Sequence, residues 1–551
     1  MARTPLLRAL RRAFADYRRA TALGLSADAY RALRESGRLR VDSVAPDAGR
    51  RQLLARAAAA LAVSPLAIGA PALAAPPLRK TPRIAIVGAG MAGLTAALQL
   101  RDEGLMSTVY EASGRVGGRM FSNSSYWDQG QVSEWGGELI DTAHRTVRTL
   151  AKRFHLDMDD LLEAEPPGSA PLYWLDGGHY PRATAVEDFL PVFERLEADL
   201  AAAPFPTLYN EHGAAAIALD QLSVADWIAS RVPGGLASPL GRLLDLAYAT
   251  EYGAPCAEQS SLNLIYLLAY QPDPDNFTDF GESDERFHIR GGNQQLPVAI
   301  AAALGADSLR LQHALTRLTR TDSGDYRLDF AVAGGATTTV LADLVVLAVP
   351  SAALDGVDFS AAGFGSRKRE AMQSVGRGVS GKLQLQFDRR YWTQPGPWGL
   401  SSGATYADLG YQQTWDVSRG QPGSAGILNF YTTDPVTSAF ATQGAFATAN
   451  EASVRADAEH FLGLIEPVYP GISAHWNGKA TQSIPHRSRY YGASYSYYRV
   501  GQYTRYAGVE AEVEGGVHFA GEHTSINFQG YMEGAAETGR RAAREILRRL
   551  R

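Results

Sequence analysis

Three glycines in a short turn are the residues of this sequence with the clearest chemical purpose. Gly88, Gly90 and Gly93 stand in the run Gly-Ala-Gly-Met-Ala-Gly. In such a turn the first glycine permits a tight bend and the second lets the backbone approach a pyrophosphate. The third lets a helix pack closely on a strand. The spacing therefore predicts a site for the phosphates of a dinucleotide.

The segments around this turn are the elements that must position the nucleotide. An apolar run at 83–87 predicts a buried parallel strand, and helix-forming residues at 94–100 predict a helix. The unpaired N–H groups and the dipole at the start of that helix favour negative charge. A second strand at 107–110 ends at Glu111, whose carboxylate can accept hydrogen bonds from the adenosine ribose.

A glycine pair shortly after Glu111 indicates which dinucleotide the site binds. Arg115 and Arg119 flank Gly117 and Gly118, so two cations stand where ribose and phosphate groups come close to the backbone. This Arg-x-Gly-Gly-Arg extension resembles the FAD-binding amine oxidase family, which includes monoamine oxidases, polyamine oxidases and L-amino-acid oxidases. The resemblance implies that the cofactor is FAD rather than NAD.

Composition and charge exclude several other classes of protein. A chain of 551 residues is expected to form two or more domains, and 45% hydrophobic residues are ordinary for a soluble protein. The net charge of −5 gives no sign of nucleic-acid binding. The single cysteine, Cys256, excludes an internal disulfide and a cysteine-rich metal site, and the scattered histidines predict no other metal site. We find no apolar run long enough for a convincing membrane span.

The first 79 residues do not resemble part of a catalytic fold. Arg50 and Arg51 precede an alanine-rich, weakly apolar segment that ends in small residues at 70–75, a pattern that suits a signal peptidase. This segment resembles a bacterial twin-arginine export signal and predicts a periplasmic or secreted protein. The alternatives are an arginine-rich arm or a transit peptide, and a cytoplasmic location.

Matches to the family pattern extend over most of residues 80–551. They imply an α/β fold with a Rossmann-like FAD-binding domain and an inserted α+β substrate-binding domain, as in amine oxidases and p-hydroxybenzoate hydroxylase-like proteins. The FAD-binding domain is predicted at 80–150, 285–350 and 491–551. The substrate domain is predicted at 151–284, as a helical part, and at 351–490, as a sheet part. A homodimer is left open.

The resemblance assigns contacts with FAD to all three segments of the FAD-binding domain. Glu522, the acid after an Ala-Gly pair, is expected to bind the ribityl chain. Ser494 stands where animal monoamine oxidases carry the cysteine that links the flavin, so FAD is expected to be bound without a covalent bond. The predicted cofactor residues are Gly88, Gly90, Met91, Ala92, Gly93, Glu111, Ala112, Arg115, Gly118, Arg119, Gly136, Gly137, Glu138, Leu315, Gly521, Glu522, Tyr531 and Met532.

The resemblance also assigns three catalytic residues. Lys382 matches the family lysine that holds a water against flavin N5, and its place in a strand-like run is unusual because burying an ammonium group is costly without partners. Tyr495 and Tyr531 match the two aromatic residues that cage the amine and orient its C–H bond toward N5. The predicted reaction is oxidative deamination, with O2 reduced to hydrogen peroxide.

Two substrate positions, Leu139 and Asp141, bear on the choice between amines and amino acids. L-Amino-acid oxidases of the family typically hold the substrate carboxylate with an arginine at the position of Leu139, so leucine favours a primary or secondary amine. Asp141 is predicted to attract a distal cation, with a helix-entry cap as the alternative. The second hypothesis is an L-amino-acid oxidase on the same fold, and the third is a non-catalytic flavin-binding protein.

Overall fold

The apolar run after Pro82 forms the central strand of a parallel sheet in the computed structural model, which describes residues 82–271 and 277–551. Ile84–Val87 is buried along its whole length and pairs in parallel with a strand on each side. Such burial is expected for a strand covered on both faces. Among the described residues the sheet has five strands, in the order Val517–Phe519, Leu344–Leu347, Ile84–Val87, Thr108–Tyr110 and Leu309–Arg310.

Two helices beside this sheet touch each other through a glycine. Helix Met91–Asp102 follows the glycine turn, and helix Met532–Leu550 lies near the C-terminus. A Cβ at Gly539 would lie 2.1 Å from the carbonyl oxygen of Ala92, so this glycine allows the close approach. Helices Arg145–Arg153 and Gln295–Leu304 pack against the same pair.

A three-stranded antiparallel sheet covers the other face of the parallel sheet. Leu318 and Phe330 from this layer share a core with Val87, Val345 and Phe519 from the parallel sheet. Its strands are His313–Arg320, Tyr326–Val332 and Thr337–Ala342.

A larger sheet carries the predicted catalytic lysine. Strand Ser380–Phe387 is central in it, and Lys382 lies opposite Tyr431 on one neighbouring strand and Ser483 on the other. Within the described residues the sheet has eight strands, in the order Phe446–Thr448, Trp476–Ser483, Ser380–Phe387, Gly426–Thr433, Gln412–Asp416, Ser401–Ala407, Ala170–Leu175 and Gly178–Tyr180. The last two strands belong to the segment that we predicted as helical, so that prediction was incomplete.

The remaining elements are mostly helices and short strand pairs. The other α-helices are Arg182–Ala202, Ala214–Asp220, Val224–Arg231, Pro239–Tyr252, Ser261–Leu268, Ser366–Ser374, Val436–Ala439, Ala452–Ile465 and Tyr503–Tyr506. Short strand pairs join Ser122–Asn123 to Ser133–Glu134, Met158–Asp160 to Phe287–Ile289, and Gly376–Arg377 to Ser496–Tyr497. Short 3₁₀ helices are Asp128–Gly130, Gly235–Ala237, Ala306–Ser308, Ser351–Gly356, Tyr391–Thr393, Ile472–His475, Pro485–Arg487, Val509–Ala511 and Glu522–Thr524.

The predicted α/β fold class is confirmed by these layers. All five strands of the parallel sheet come from the three segments assigned to the FAD-binding domain. The domain boundaries themselves stay a prediction, and Arg50 and Arg51 lie outside the described residues. Among the helices of the described part, none combines the length and apolar character that crossing a membrane requires.

Candidate active site

A cavity of about 850 Å³ begins at the carboxyl ends of strands Ile84–Val87 and Thr108–Tyr110. Gly88 and Glu111 line it at this edge, and Lys382 lines it at the larger sheet. The carboxyl edge of a parallel sheet is where open α/β folds bind nucleotides. The cavity therefore joins the predicted phosphate site to the predicted catalytic lysine.

The glycine turn is closely packed on one side and open on the other. Gly88 has a φ of +103°, and a Cβ there would lie 2.5 Å from the carbonyl oxygen of Ala348. A Cβ at Gly93 would lie 1.9 Å from the carbonyl oxygen of Gly88, so the helix packs tightly on the turn. No described atom lies within 4 Å of the place that a Cβ would take at Gly90, which lines the cavity. A ligand can therefore approach the backbone at Gly90.

The start of helix Met91–Asp102 completes a cradle for an anion. Gly90 is the N-cap residue and offers no side chain to the first N–H groups of the helix. Unpaired N–H groups and the helix dipole at such an end bind phosphate. The pair Gly117 and Gly118 lies against the same turn, since a Cβ at Gly118 would be 3.3 Å from the Cα of Gly90. These features fit the pyrophosphate of a dinucleotide.

Glu111 lies at the end of its strand, as predicted, and lines the cavity. Its Oε2 accepts a hydrogen bond of 2.8 Å from the N–H of Ala89, and its Oε1 accepts one of 2.7 Å from the hydroxyl of Ser113. Oε1 also accepts from the N–H of Ser113 at 2.8 Å, whereas Oε2 keeps a second lone pair for another donor, such as a ribose hydroxyl.

Arg115 is not among the residues that line the cavity, and its contact with FAD stays a prediction. Its guanidinium donates to the carbonyl oxygens of Gly118, at 2.7 Å, and of Val116, at 3.2 Å. It also donates to the hydroxyl of Tyr491 and lies 3.8 Å above the ring of Phe121. These contacts show that Arg115 braces the turn formed by Gly117 and Gly118.

Arg119 and Glu522 form an ion pair on the cavity wall. The guanidinium donates to Glu522 Oε1 at 3.0 Å and to the carbonyl oxygen of Ser494 at 2.8 Å. The other oxygen of Glu522 accepts from the hydroxyl of Ser496 and from the N–H of Gly530. Burial alone would raise the pKa of Glu522, but the charge of Arg119 and these hydrogen bonds lower it. The carboxylate is therefore held ionised.

Lys382 has a buried partner that explains how a lysine fits inside the strand. Its Nζ donates to Glu138 Oε2 at 2.6 Å and to the carbonyl oxygen of Gly136 at 2.9 Å, and all three residues line the cavity. Burial alone would raise the pKa of Glu138, but the charge and the hydrogen bond of Lys382 lower it. Glu138 was predicted as a cofactor contact, and the structure shows it as the ion-pair partner of Lys382.

Two aromatic residues beside Lys382 were missed by the sequence analysis. Trp415 lines the cavity, and its indole N–H donates to Glu138 at 2.8 Å. Tyr431 also lines it, with its ring centroid 5.1 Å from that of Trp415. Their place depends on the pairing of distant strands, which sequence periodicity alone does not fix.

Both predicted cage tyrosines line the same cavity. The hydroxyl of Tyr495 donates to the carbonyl oxygen of Thr250 at 3.0 Å, and its ring packs against Gly530, where a Cβ would lie 3.7 Å away. The hydroxyl of Tyr531 donates to Glu251 Oε1 at 2.6 Å. Burial raises the pKa of both phenols well above the usual value, so both rings are neutral. Their contacts hold each ring in a fixed place.

Two glutamates on the cavity wall, Glu251 and Glu285, were also missed. Burial raises the pKa of Glu251 to about 7 and that of Glu285 to about 8, and the charges of Glu251 and Asp141 add to the second shift. Glu251 lies in the last turn of helix Pro239–Tyr252, where the helix dipole disfavours an acid. This unfavourable position could have marked Glu251 as a functional residue in the sequence, whereas we recognise no such signal for Glu285.

Asp141 is not among the cavity-lining residues, and its predicted attraction of a distal cation stays a prediction. Its carboxylate accepts hydrogen bonds from the hydroxyl of Ser283, at 2.9 Å, and from the N–H of Glu285, at 3.0 Å. It caps no helix either, because the N-cap of helix Arg145–Arg153 is His144. Asp141 therefore fixes the loop that carries Glu285, and Glu285 takes the place on the wall.

The structure brings most other predicted residues to this cavity. Gly93 lies outside the lining because its role is to pack the helix on the turn. Among the described residues, no group of three or more His, Cys, Asp or Glu side chains is placed to hold a metal ion. The further predicted residues that line the cavity are Met91, Ala92, Ala112, Gly118, Gly136, Gly137, Leu139, Leu315, Gly521 and Met532.

Comparison with known proteins matches this chain to one family over most of its length. The sequence model of the family described as flavin containing amine oxidoreductase matches residues 91–547. A relative from Siganus canaliculatus, an L-amino-acid oxidase, is 25% identical over 480 residues, which cover 84% of this chain and 85% of the relative.

Solved structures share the fold. The cyclohexylamine oxidase from Brevibacterium oxydans IH-35A is 21% identical and has a TM-score of 0.71, with 86% of this chain and 100% of that chain covered. A putrescine oxidase bound to putrescine is also 21% identical, with a TM-score of 0.67 and coverage of 85% of this chain and 99% of that chain. At this level of identity the likeness shows the fold alone.

Proposed function

Because the chain belongs to the flavin-containing amine oxidoreductase family, we propose that it catalyses the oxidative deamination of a primary or secondary amine. A primary amine, O2 and water would give an aldehyde, ammonia and hydrogen peroxide. The observation that carries the proposal is the meeting of Lys382, Tyr495 and Tyr531 in one cavity with the glycine turn. These residues come from three distant parts of the sequence. The family is one of oxidoreductases, so the non-catalytic hypothesis is set aside.

The cofactor is FAD, and the described residues fit it. The N–H groups at the start of helix Met91–Asp102 would hold the pyrophosphate, and Glu111 would hold the adenosine ribose. The far part of the cavity, where Lys382 and the two tyrosines lie, would hold the flavin end. When bound, FAD supplies the hydride acceptor and the site at which O2 is reduced.

The residues of the chain position the amine and exclude water. Tyr495 and Tyr531 are each held by hydrogen bonds from their hydroxyls, so their rings are rigid walls for a slim C–N group. Both tyrosine side chains are neutral, and the ammonium of Lys382 is paired with Glu138. None of these three side chains therefore presents an unpaired positive charge to a neutral amine. A rigid site of this kind holds the amine in the geometry in which it reacts, and it does so without a separate general base.

The experiment that tests this proposal is an assay for peroxide with a panel of amines. Purified holoenzyme given tyramine, benzylamine or putrescine in air should release one peroxide per aldehyde formed. Horseradish peroxidase with a dye measures the peroxide, and an aldehyde reagent measures the product. Added catalase should abolish the dye signal. Enzyme that keeps its FAD but oxidises none of these amines or the matching amino acids would refute the proposal.

An L-amino-acid oxidase is the second candidate function. It is favoured by relatives that carry this name, including the protein from Siganus canaliculatus. Against it stands the cavity wall, where Leu139 takes the place of the expected arginine and Glu251 and Glu285 add two carboxyl groups but no cation. A substrate carboxylate at this end of the site would therefore find no cation to pair with, and it would be repelled wherever these glutamates are ionised.

We expect FAD to be released by acid. Ser494 stands at the cysteine position, and its hydroxyl donates to the hydroxyl of Ser380 at 3.3 Å. Cys256, the single cysteine of the sequence, donates to the carbonyl oxygen of Asp245 and does not line the cavity. Precipitation with trichloroacetic acid should leave the yellow colour in the supernatant, measured by its absorbance. Colour retained in the washed pellet would show a covalent link and contradict this expectation.

Export through a twin-arginine route is a proposal that rests on the sequence alone. Arg50, Arg51 and the small residues at 70–75 support it. Such a route suits a flavoprotein because it carries folded proteins with their cofactor bound. A periplasmic or secreted location is therefore proposed, with the cytoplasm as the alternative.

A further inference from the structure

The cavity has an acidic end, formed by Glu251 and Glu285, that the oxidation of a simple monoamine does not need. We propose that these two residues bind a second cationic group of the substrate, so that the enzyme acts on short diamines and related dications. The inference rests on the proposed function, because it names the substrate class of the same cavity.

The carboxyl group of Glu285 is the strongest indication that the cavity binds a cation. Glu285 is half-buried and lines the cavity, and within residues 82–271 and 277–551 we find no hydrogen bond to its carboxyl group. Its backbone is tied to the carboxylate of Asp141 through its N–H, so the side chain is presented from a fixed loop. A carboxyl group that is partly withdrawn from water and has no donor is costly to ionise, and a bound cation would offset that cost.

Glu251 connects this acidic end to the reaction site. It accepts the hydroxyl of Tyr531 at 2.6 Å, so it lies directly beyond the ring of a cage residue. One ammonium at Glu251 and Glu285 and one amine at the cage would therefore be separated by a short chain. Tyr252 and Phe280 also line the cavity and add apolar surface for methylene groups.

The nearby cations of the protein are engaged elsewhere. Lys382 pairs with Glu138 at 2.6 Å, and Arg419 pairs with Glu165 at 2.6 Å and is not among the lining residues. Within the described residues, the carboxyl groups of Glu251 and Glu285 therefore have no cation of the protein as an ion-pair partner. Burial, with the charges of Glu251 and Asp141, raises the pKa of Glu285 to about 8, and burial, with the charge of Asp141, raises the pKa of Glu251 to about 7. A cation bound between them would stabilise both carboxylates in the charged form.

A kinetic comparison tests the specificity. For wild-type holoenzyme, kcat/KM for cadaverine should exceed that for pentylamine, the same chain with one amine. In Glu285→Gln the ratio of these two values should fall about a hundredfold, because a buried charge pair to the second ammonium is lost. Glu282→Gln is the matched control, since Glu282 is exposed on the same loop and does not line the cavity. Its ratio should equal that of the wild type.

A binding experiment separates this inference from the proposed function. The probe is a diamine whose amine-bearing carbons carry no hydrogen, so it cannot be oxidised, and its monoamine analogue is the reference. Calorimetry on wild-type holoenzyme should show the diamine binding at least tenfold more tightly, with the advantage lost in Glu285→Gln. Equal affinity of the two probes for the wild type would overturn the inference, even if monoamines are oxidised. Tighter binding of the dication without oxidation of any amine would support the inference and refute the proposed function.

Discussion

Lys382→Met should slow the re-oxidation of the reduced enzyme by O2 about a hundredfold, a typical effect of removing one electrostatic group from a buried site. Lys382 places an ammonium on the cavity wall, held by Glu138 and the carbonyl oxygen of Gly136. A buried cation stabilises the negative charge that develops on oxygen as it is reduced. The measurement is stopped-flow mixing of anaerobically reduced enzyme with oxygenated buffer. Reduction by substrate should slow less.

Two further variants make this result specific. Lys382→Met leaves Glu138 buried without its cation, and this alone can disturb the site. The double variant Lys382→Met with Glu138→Gln removes both charges, so re-oxidation should stay slow in it if the lysine charge is what matters. Lys479→Met is the matched control, because Lys479 lies on the neighbouring strand, pairs with Asp128 at 2.6 Å and does not line the cavity. Unchanged re-oxidation in Lys382→Met would remove the lysine from the mechanism.

The phosphate end of the site could be predicted from the sequence because it is formed by residues that are close together in the chain. The turn from Gly88 to Gly93, the helix after it and the strand ending at Glu111 lie within one short stretch, and each step has a characteristic residue type. The structure places each of these elements where the pattern predicted it. Arg115 shows the limit of this reasoning, since a guanidinium also binds backbone carbonyls, and nearby carbonyls of its own turn were the available acceptors.

The substrate end could not be predicted in the same way because it is built from distant segments. Trp415 and Tyr431 are brought to the cavity by the pairing of their strands. Glu251 comes from helix Pro239–Tyr252, and Glu285 comes from a loop later in the sequence. Asp141 was predicted to attract a distal cation, which is the role that we propose for Glu285. The two residues are joined by one hydrogen bond, and only the path of the loop decides which carboxyl faces the cavity.

Tyramine should be oxidised at least about a thousandfold more efficiently than tyrosine, measured as kcat/KM from peroxide release. The two substrates differ by one carboxylate. Leu139 lines the cavity where the resemblance places a carboxylate-binding arginine in L-amino-acid oxidases. A carboxylate buried beside Glu251 and Glu285 without a cation should cost several kcal/mol, on the order of 4 kcal/mol for a thousandfold loss.

Tyrosine amide distinguishes charge from size in this comparison. It keeps the bulk of the carboxylate but carries no negative charge, so its efficiency should approach that of tyramine if repulsion is the cause. An amide that is as poor as tyrosine would point to the volume around Leu139 instead. Glu285→Gln adds a second check above pH 8, where the Glu285 carboxyl group is ionised, because removing that negative charge from the wall should narrow the gap between tyramine and tyrosine. An efficiency for tyrosine above that for tyramine would overturn the amine assignment and establish the L-amino-acid oxidase in its place, with a cation that binds the carboxylate from outside the position of Leu139.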